Sequence, residues 1–443
     1  MIIDVASNEI KIYYDKYIVG RISIHDPQRI GFRYDPRWLE TNNNFPISVT
    51  LPLETGEFED NIIKPWLTNL LPEGQQLTTL SRVLGLSASD SISILLEIGR
   101  DTAGAISFGE PNNRSEWEYV TLVDFYSSDT QQKALERHFE DLKRRPFLAG
   151  VDGPRISLAG GQEKTALAVL DNSGIPKFGL PESTDLLAIP KNGAPSTIII
   201  KPDNPYLPYL VENEAYCLNL AKAIGIQAVE CAIVESSSRI ALAVLRYDRC
   251  LKDDNSIRRL HQEDFAQANS VFPWQKYEQQ NLVSGLNLNT LLLTGKHLPP
   301  TDNLKLIDQV IFSFLVANTD AHAKNYSIIL SGKPSMAPMY DVSSVLCWDH
   351  VNQYHAQKIA GRKRKPSATA KRHWIQIAEQ AGLSTRGILR RVQELVDKMV
   401  AARVEVTEHV SSHPGTSLQV VNHIAEIVEK NALRIAEQLK TGA

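Results

Sequence analysis

Residues 318–325, Asn-Thr-Asp-Ala-His-Ala-Lys-Asn, with Tyr340-Asp341 a short distance downstream, decide how this chain is read. They put a carboxylate, Asp320, five residues ahead of an amide, Asn325, and supply a second carboxylate at Asp341. Phosphoryl transfer from a nucleotide uses that set: one carboxylate orients the attacking hydroxyl, while an amide and another carboxylate hold magnesium against the phosphates. Protein-kinase catalytic loops have the same Asp-to-Asn spacing. A lone pair at this spacing arises by chance, so its neighbours matter. Upstream, Leu306, Ile307, Val310, Ile311, Phe314 and Leu315 form one apolar face and predict a buried helix running into Asp320. Downstream, residues 326–330 read as a strand. A carboxylate at such a junction is either a turn former or a site residue, and Asn325 and Asp341 together favour the site. His322 is placed either to meet a transferring phosphoryl group or to hydrogen-bond at the surface. Magnesium takes few protein oxygens and completes its shell with phosphate and water, which one Asp and one Asn satisfy.

Toward the N-terminus, Ser157-Leu-Ala-Gly-Gly-Gln-Glu-Lys-Thr-Ala-Leu leads into a predicted strand over 166–170. Gly160 and Gly161 have access to backbone angles closed to other residues, so several N–H groups can turn toward one anion. A surface turn would use the same glycines; Gln162 and Lys164 add donors. Lys201 ends the apolar strand Thr197-Ile-Ile-Ile-Lys, where it either snorkels to solvent or neutralises a bound group. Glu214 falls on a predicted helix over 212–224 that Gly225 suits as a cap. It is either an exposed first-turn acid or the partner of Lys201. Arg362-Lys363-Arg364-Lys365, followed by Lys371-Arg372, is the densest basic run, and reads as a solvated loop or as a contact to a phosphate backbone.

At 443 residues the chain is too long for one simple core. With 43% hydrophobic and 22% charged residues it has the composition of an ordinary globular protein rather than a disordered one. Residues 1–8 lack a basic segment leading into an apolar run, and no stretch is long and apolar enough for a bilayer, so a cytoplasmic location and no membrane partner are expected. Cys217, Cys231, Cys250 and Cys347 are scattered without a C-x-x-C pair, which argues against a zinc site or a disulfide framework. The formal charge, 47 minus 51 or −4, argues against a surface that tracks nucleic acid throughout, yet leaves room for a local basic patch. Residues 10–24 predict a hairpin about Asp15-Lys16, 65–72 and 89–98 helices, and 106–108 a closing strand. Residues 110–115, rich in turn formers, mark a boundary. A charged helix near 131–145 precedes strands at 166–170, 197–201, 228–234 and 240–246. From about 261 helices dominate, including 388–404 and 418–439. The expectation is an α+β chain in three parts: an α/β unit (1–112), a strand-rich lobe (113–260) and a helical lobe (261–443), with the Asp320 loop near the junction of the lobes.

Taken in order, Ile156-Ser-Leu-Ala-Gly-Gly-Gln-Glu-Lys-Thr-Ala, Ile199-Ile-Lys, Asn213-Glu214, Ala243-Val-Leu-Arg-Tyr-Asp-Arg249, Thr319-Asp-Ala-His-Ala-Lys-Asn and Tyr340-Asp341 resemble the HipA family. Its members are serine/threonine kinases that act as toxins in bacterial type II toxin–antitoxin modules. Leu71-Pro-Glu and Glu97-Ile-Gly-Arg-Asp-Thr-Ala-Gly-Ala extend the likeness into the first unit. The resemblance implies a protein-kinase-like two-lobed fold using ATP and Mg2+, with Asp320 as catalytic base and Asn325 and Asp341 as metal ligands. It implies nucleotide contacts from Ala159, Gly160, Gly161, Gln162, Glu163 and Lys164, and from Lys201, His322, Lys324, Asn325, Tyr340 and Asp341. A hinge of Leu245, Arg246 and Tyr247 would bind adenine through main-chain groups; a Glu is familiar where Leu245 stands. Ser157 matches the family's autophosphorylated serine, whose phosphate would expel the loop. The implied partners are a HipB-like helix-turn-helix antitoxin, operator DNA reached through that complex, and an aminoacyl-tRNA synthetase substrate such as the glutamyl enzyme. Arg362, Lys363, Arg364 and Lys365 are the candidate DNA contacts. A catalytically silent corepressor and a small-molecule kinase are the other readings. A silent relative would be free to lose one of Asp320, Asn325, Asp341 or Lys201, and all four are present.

Overall fold

The computed structural model describes residues 9–26, 29–150, 155–254, 256–280 and 283–441. Strands Glu9–Tyr14 and Tyr17–Asp26 pair about Asp15, whose φ of 50° is a left-handed angle that Asp tolerates. With Arg29–Tyr34 and Ile106–Phe108 they form a four-stranded antiparallel sheet. Ile12, Ile22 and Phe32 on its inner face pack with Ile63, Trp66 and Leu67 of the helix Asp60–Asn69 and with Leu95 of the helix Ser91–Ile98.

A seven-stranded antiparallel sheet makes the middle of the molecule. Its order runs Cys231–Glu235, Ile240–Leu245, Ile198–Pro202, Thr165–Leu170, Leu186–Lys191, Glu118–Thr121, with Pro176–Lys177 added beside Thr165–Leu170. Thr165–Leu170 is buried along its whole length because both faces are covered. Leu167 and Val169 join Leu135, Phe139 and Leu142 of the helix Gln131–Arg144, while Ala166 meets Phe147, Ile156 and Leu158 on the other side. An unbroken apolar run, rather than alternation, is what a doubly covered strand requires.

The helix Leu210–Ala223 lies in sequence between two strands of the sheet, Ile198–Pro202 and Cys231–Glu235, and shares a core with Ile233, Leu242 and Val244 of that sheet. Tyr216, Leu218 and Leu220 are buried with the apolar faces of the helices Thr385–Ser411 and Leu418–Thr441, so the helix bridges the 260 boundary expected from sequence order. Its buried positions include Glu212, Asn213 and Glu214 beside the apolar ones, so more than one face of the helix is covered.

In the helical lobe, Pro300–Leu315 ends beneath the site. The carbonyls of Phe314 and Leu315, which a helix terminus leaves without partners, accept from Asn431 Nδ2 at 3.0 and 2.8 Å. Ala317 then takes a φ of 57° and turns the chain toward Asp320. A three-stranded sheet of Gln262–Asp264, Ser327–Ile329 and Ser335–Met336 carries both expected loops: Asp320 precedes its middle strand and Asp341 follows an edge strand. The four cysteines are free, and among the described residues no helix is long and apolar enough to cross a membrane.

Candidate active site

A cavity of about 870 Å3 lies between the large sheet and the helical lobe, within the size range of small-molecule sites. Residues from distant parts of the sequence converge on it. Ala159, Gly160, Gly161, Gln162, Lys164, Lys201 and residues 245–247 line it from one side, and Asp320, His322, Lys324, Asn325, Tyr340 and Asp341 from the other. Ser157 and Glu163, expected in the same loop, are not among its walls.

Lys201 does not snorkel to solvent. Its ammonium stands 2.6 Å from Glu214 Oε1 and 2.8 Å from Asp341 Oδ1, and Glu214 is only 3% exposed, so it is a buried partner rather than a surface acid. Burial alone would pull the Lys201 pKa down; the two carboxylates outweigh it and raise it, so the lysine stays charged. Burial likewise opposes ionisation of Asp341, but Lys201 and then Lys164 hold it far below the usual carboxylate range. Asp341 has a φ of 57°, a left-handed angle that aims its side chain back at Lys201.

The catalytic-loop candidates are fixed mostly by their own backbone. Asn325 Nδ2 donates to the Asp320 carbonyl at 2.9 Å, which leaves its Oδ1 as the atom available to a cation. His322 is buried, its pKa lowered by that burial. The Tyr340 hydroxyl donates to the Lys324 carbonyl at 2.8 Å. Lys324 lines the cavity, but its ammonium is committed elsewhere: to Asn69 O at 2.9 Å, Asn69 Oδ1 at 2.8 Å and Asp264 at 3.2 Å. Through these contacts Lys324 joins the loop to the N-terminal unit.

That unit also props the glycine loop. Glu73 N donates to Gly160 O, Ser157 Oγ donates to Leu70 O at 2.7 Å, and Ser157 N donates to Asp101 O. Gly160 has a φ of 100°, and a Cβ there would lie 2.9 Å from Lys164 Nζ. Gly161 has neither constraint, so only one of the two glycines uses its conformational freedom here. Glu73 in turn pairs with Lys276 at 2.8 Å and Lys324 at 3.6 Å. Sequence reading gave neither Asn69 nor Glu73 a role in the site, although Glu73 closes the Leu71-Pro-Glu triplet that carried part of the family likeness and Asn69 lies two residues before it.

The hinge is narrower than expected. Leu245 N donates to Glu230 O and Arg246 N to Thr197 O, which leaves Tyr247 N–H as the main-chain donor without a partner among the described residues. The Arg246 side chain turns away, to Asp248, Ser196 Oγ and the Thr102 carbonyl. There it joins a buried cluster in which Asp101 meets Arg249 and Arg259 at 2.8 Å and accepts from Ser196 Oγ at 2.6 Å. Despite its burial, the three arginines hold the Asp101 carboxyl far below its usual range. Asp101→Asn would leave buried guanidinium charge uncompensated, an expected loss of about 3–5 kcal/mol in urea unfolding at neutral pH. The depressed pKa supplies stability above the ordinary Asp value and loses it on acidification, so the gap to wild type should shrink below about pH 4.

The basic run folds partly against the cavity mouth rather than standing off as a free loop. Lys363 lines the cavity, Arg364 Nε donates to the Ile359 carbonyl, and Lys365 lies 5.6 Å from the ring of Tyr354, another wall residue. Arg362, Lys363 and Lys365 remain exposed.

Comparison with known proteins agrees with this geometry. The family model described as the HipA-like C-terminal domain matches residues 156–403, and that of the HipA N-terminal domain matches residues 10–109. The Sinorhizobium fredii protein named "Putative kinase Y4mE" is 33% identical over 424 residues, 96% of this chain and 97% of that one. The serine/threonine-protein kinase toxin HipA of Shewanella oneidensis is 28% identical over 365 residues, 79% of this chain and 78% of that one. A Shewanella oneidensis HipA solved in complex with HipB and its operator DNA has the same fold, with a TM-score of 0.79 over 97% of this chain and 99% of that chain at 23% identity. With both halves matched by their family models and a relative aligned along nearly the whole length, this α+β, kinase-like chain belongs to the HipA family of serine/threonine kinase toxins.

Proposed function

We propose that the protein is an ATP-dependent serine/threonine protein kinase and the toxin of a toxin–antitoxin pair. The observation that carries this reading is that Asp320 shares one cavity with an ion pair that spans the lobes, Lys201 from the large sheet meeting Asp341 from the lobe that carries Asp320. In the proposed reaction an acceptor hydroxyl hydrogen-bonds to Asp320 and passes its proton there as its oxygen bonds to the γ-phosphorus. The bond to the β–γ bridging oxygen breaks, and ADP leaves. Lys201, held by Glu214, grips the phosphate oxygens; Lys164 and the N–H groups around Gly160 cover them. Tyr247 N–H is offered to adenine beside the apolar walls Val229 and Val244.

The donor set fits magnesium. Asp341 and Asn325 Oδ1 provide two hard oxygens on the cavity wall, and phosphate and water complete such a shell. When bound, the ion would neutralise phosphate charge. Lys201 and Asp341 already hold each other in their charged forms, so the carboxylate needs no deprotonation on loading.

On family membership, a HipB-like antitoxin, operator DNA reached through it, and an aminoacyl-tRNA synthetase substrate are the proposed partners. Incubating the protein with γ-labelled ATP and a bacterial lysate tests the reading. Label on a protein of the translation machinery is expected. No incorporation above that of an Asp320→Asn control would overturn the kinase assignment.

A pH dependence follows from Lys164, whose burial pulls its pKa down to about 8 despite Asp341 nearby. Below pH 8 the ammonium is already charged for phosphate. Above it, binding must first recruit a proton, so ATP affinity should fall as pH rises through that value. Lys164→Met should flatten this fall between pH 7 and 9 in a fluorescent-nucleotide titration; an unchanged profile would remove Lys164 from phosphate binding.

A further inference from the structure

Asp320 is exposed at the cavity, and a free carboxylate there has many rotamers, only some of which aim an oxygen at an acceptor. One of its oxygens is not free. Tyr277 Oη donates to Asp320 Oδ1 at 2.6 Å, whereas among the described residues no hydrogen bond reaches Oδ2. Burial, and Asp320 after it, push the Tyr277 phenol well above its usual range, so it keeps its proton and is always the donor.

Tyr277 is itself anchored on every side. Its ring meets His322 edge-on at 5.1 Å and lies 5.4 Å from the Lys276 ammonium, which is tied to Glu73. Lys276 O accepts from Ala323 N inside the catalytic loop. On the other side Glu278 accepts from Lys358 N, and Gly285 N donates to Glu278 O. Gly285 packs so closely that a Cβ would lie 1.9 Å from Gln275 O and 2.2 Å from Tyr277 O. The segment 275–278 is thus a bracket that joins the N-terminal unit, the catalytic loop and the segment around 356–358.

We propose that Tyr277 is a positioning residue for phosphoryl transfer: its hydroxyl holds Asp320 Oδ1 so that Oδ2 faces the acceptor. The assignment rests on the kinase reading. An acceptor hydroxyl then meets an oxygen already oriented, and the tyrosine neither takes the proton nor touches the nucleotide.

Tyr277→Phe keeps the ring against His322 and Lys276 and removes only the hydroxyl. The other titratable groups around the pair, His322, Lys276, Glu73 and Asp341, stay as they are. The expected result is a kcat lower by about 10- to 100-fold, with the KM for ATP and the melting temperature unchanged. An unchanged kcat in an active enzyme would overturn the proposal. So would a fall in kcat accompanied by an equal rise in KM for ATP and a lower melting temperature, because that marks a merely structural residue. If the wild type transfers no phosphate to any acceptor, the kinase reading fails instead, and the two failures are told apart.

Discussion

Asp320→Asn is expected to reduce phosphoryl transfer by about 100- to 10,000-fold, the range that a positioned general base contributes. The substitution replaces one carboxylate oxygen with an NH2 and leaves the rest of the site untouched. Asn can still accept from Tyr277 through its Oδ1, and Asn325 Nδ2 bonds the main-chain carbonyl of residue 320 rather than its side chain. The Lys201–Glu214–Asp341 set that would bind phosphates and metal lies outside the change. ATP affinity and melting temperature should therefore hold while turnover collapses. Labelled-phosphate incorporation, read beside a nucleotide titration and a thermal melt, checks all three. Wild-type turnover in this variant would remove Asp320 as the base, and a parallel loss of ATP binding would show that it holds nucleotide instead.

The parts of this site that were legible in the sequence are those whose partners lie within a few residues or are fixed by a regular element. The apolar face over 306–315 located the buried helix, and the turn after it had to present Asp320. Lys201 and Glu214 lie on consecutive elements, a strand and the following helix, so their pairing was one of two readings the order allowed, and burial of both decided it. The Gly160-Gly161 pair was legible as a turn, but which of the two takes the positive angle was not. Other features depend on chain crossings that no spacing encodes. Glu73 and Lys276 are separated by 203 residues, Asn69 and Lys324 by 255, and nothing in either local sequence predicts that they meet. Tyr277 carries no signal in its local sequence, and only the fold places it on Asp320. The helix Leu210–Ala223 shows the same limit at larger scale: its apolar residues were readable, but which lobe would cover them was not. Arg246 is the reverse case, a hinge residue by order whose side chain the buried Asp101 and Asp248 carboxylates draw away from the cavity.

A phosphate on Ser157 is expected to abolish most ATP binding, because the folded loop has no room for it. Ser157 is 0% exposed, and its hydroxyl is a donor to the Leu70 carbonyl at 2.7 Å. A phosphoserine at neutral pH brings close to two negative charges and presents acceptor oxygens to that carbonyl. Burying such a group without cationic partners costs far more than the loop's few backbone hydrogen bonds return. The loop must then leave, drawing Gly160, Gln162 and Lys164 out of the cavity they line. The same burial means that the loop must already have opened before Ser157 can reach a γ-phosphate, so its modification should be slow beside transfer to an exposed acceptor. If the loop-in state is reduced to a tenth or less, apparent ATP affinity falls by about tenfold or more. Ser157→Glu should reproduce that loss, whereas Ser157→Ala, which forfeits one hydrogen bond and adds no charge, should bind ATP nearly as the wild type does. Nucleotide titration of both variants, with hydrogen exchange across residues 156–164 to report the opened loop, decides the matter. Unchanged ATP affinity in stoichiometrically phosphorylated protein would mean that the loop accommodates the charge in place, and that the buried serine is no switch.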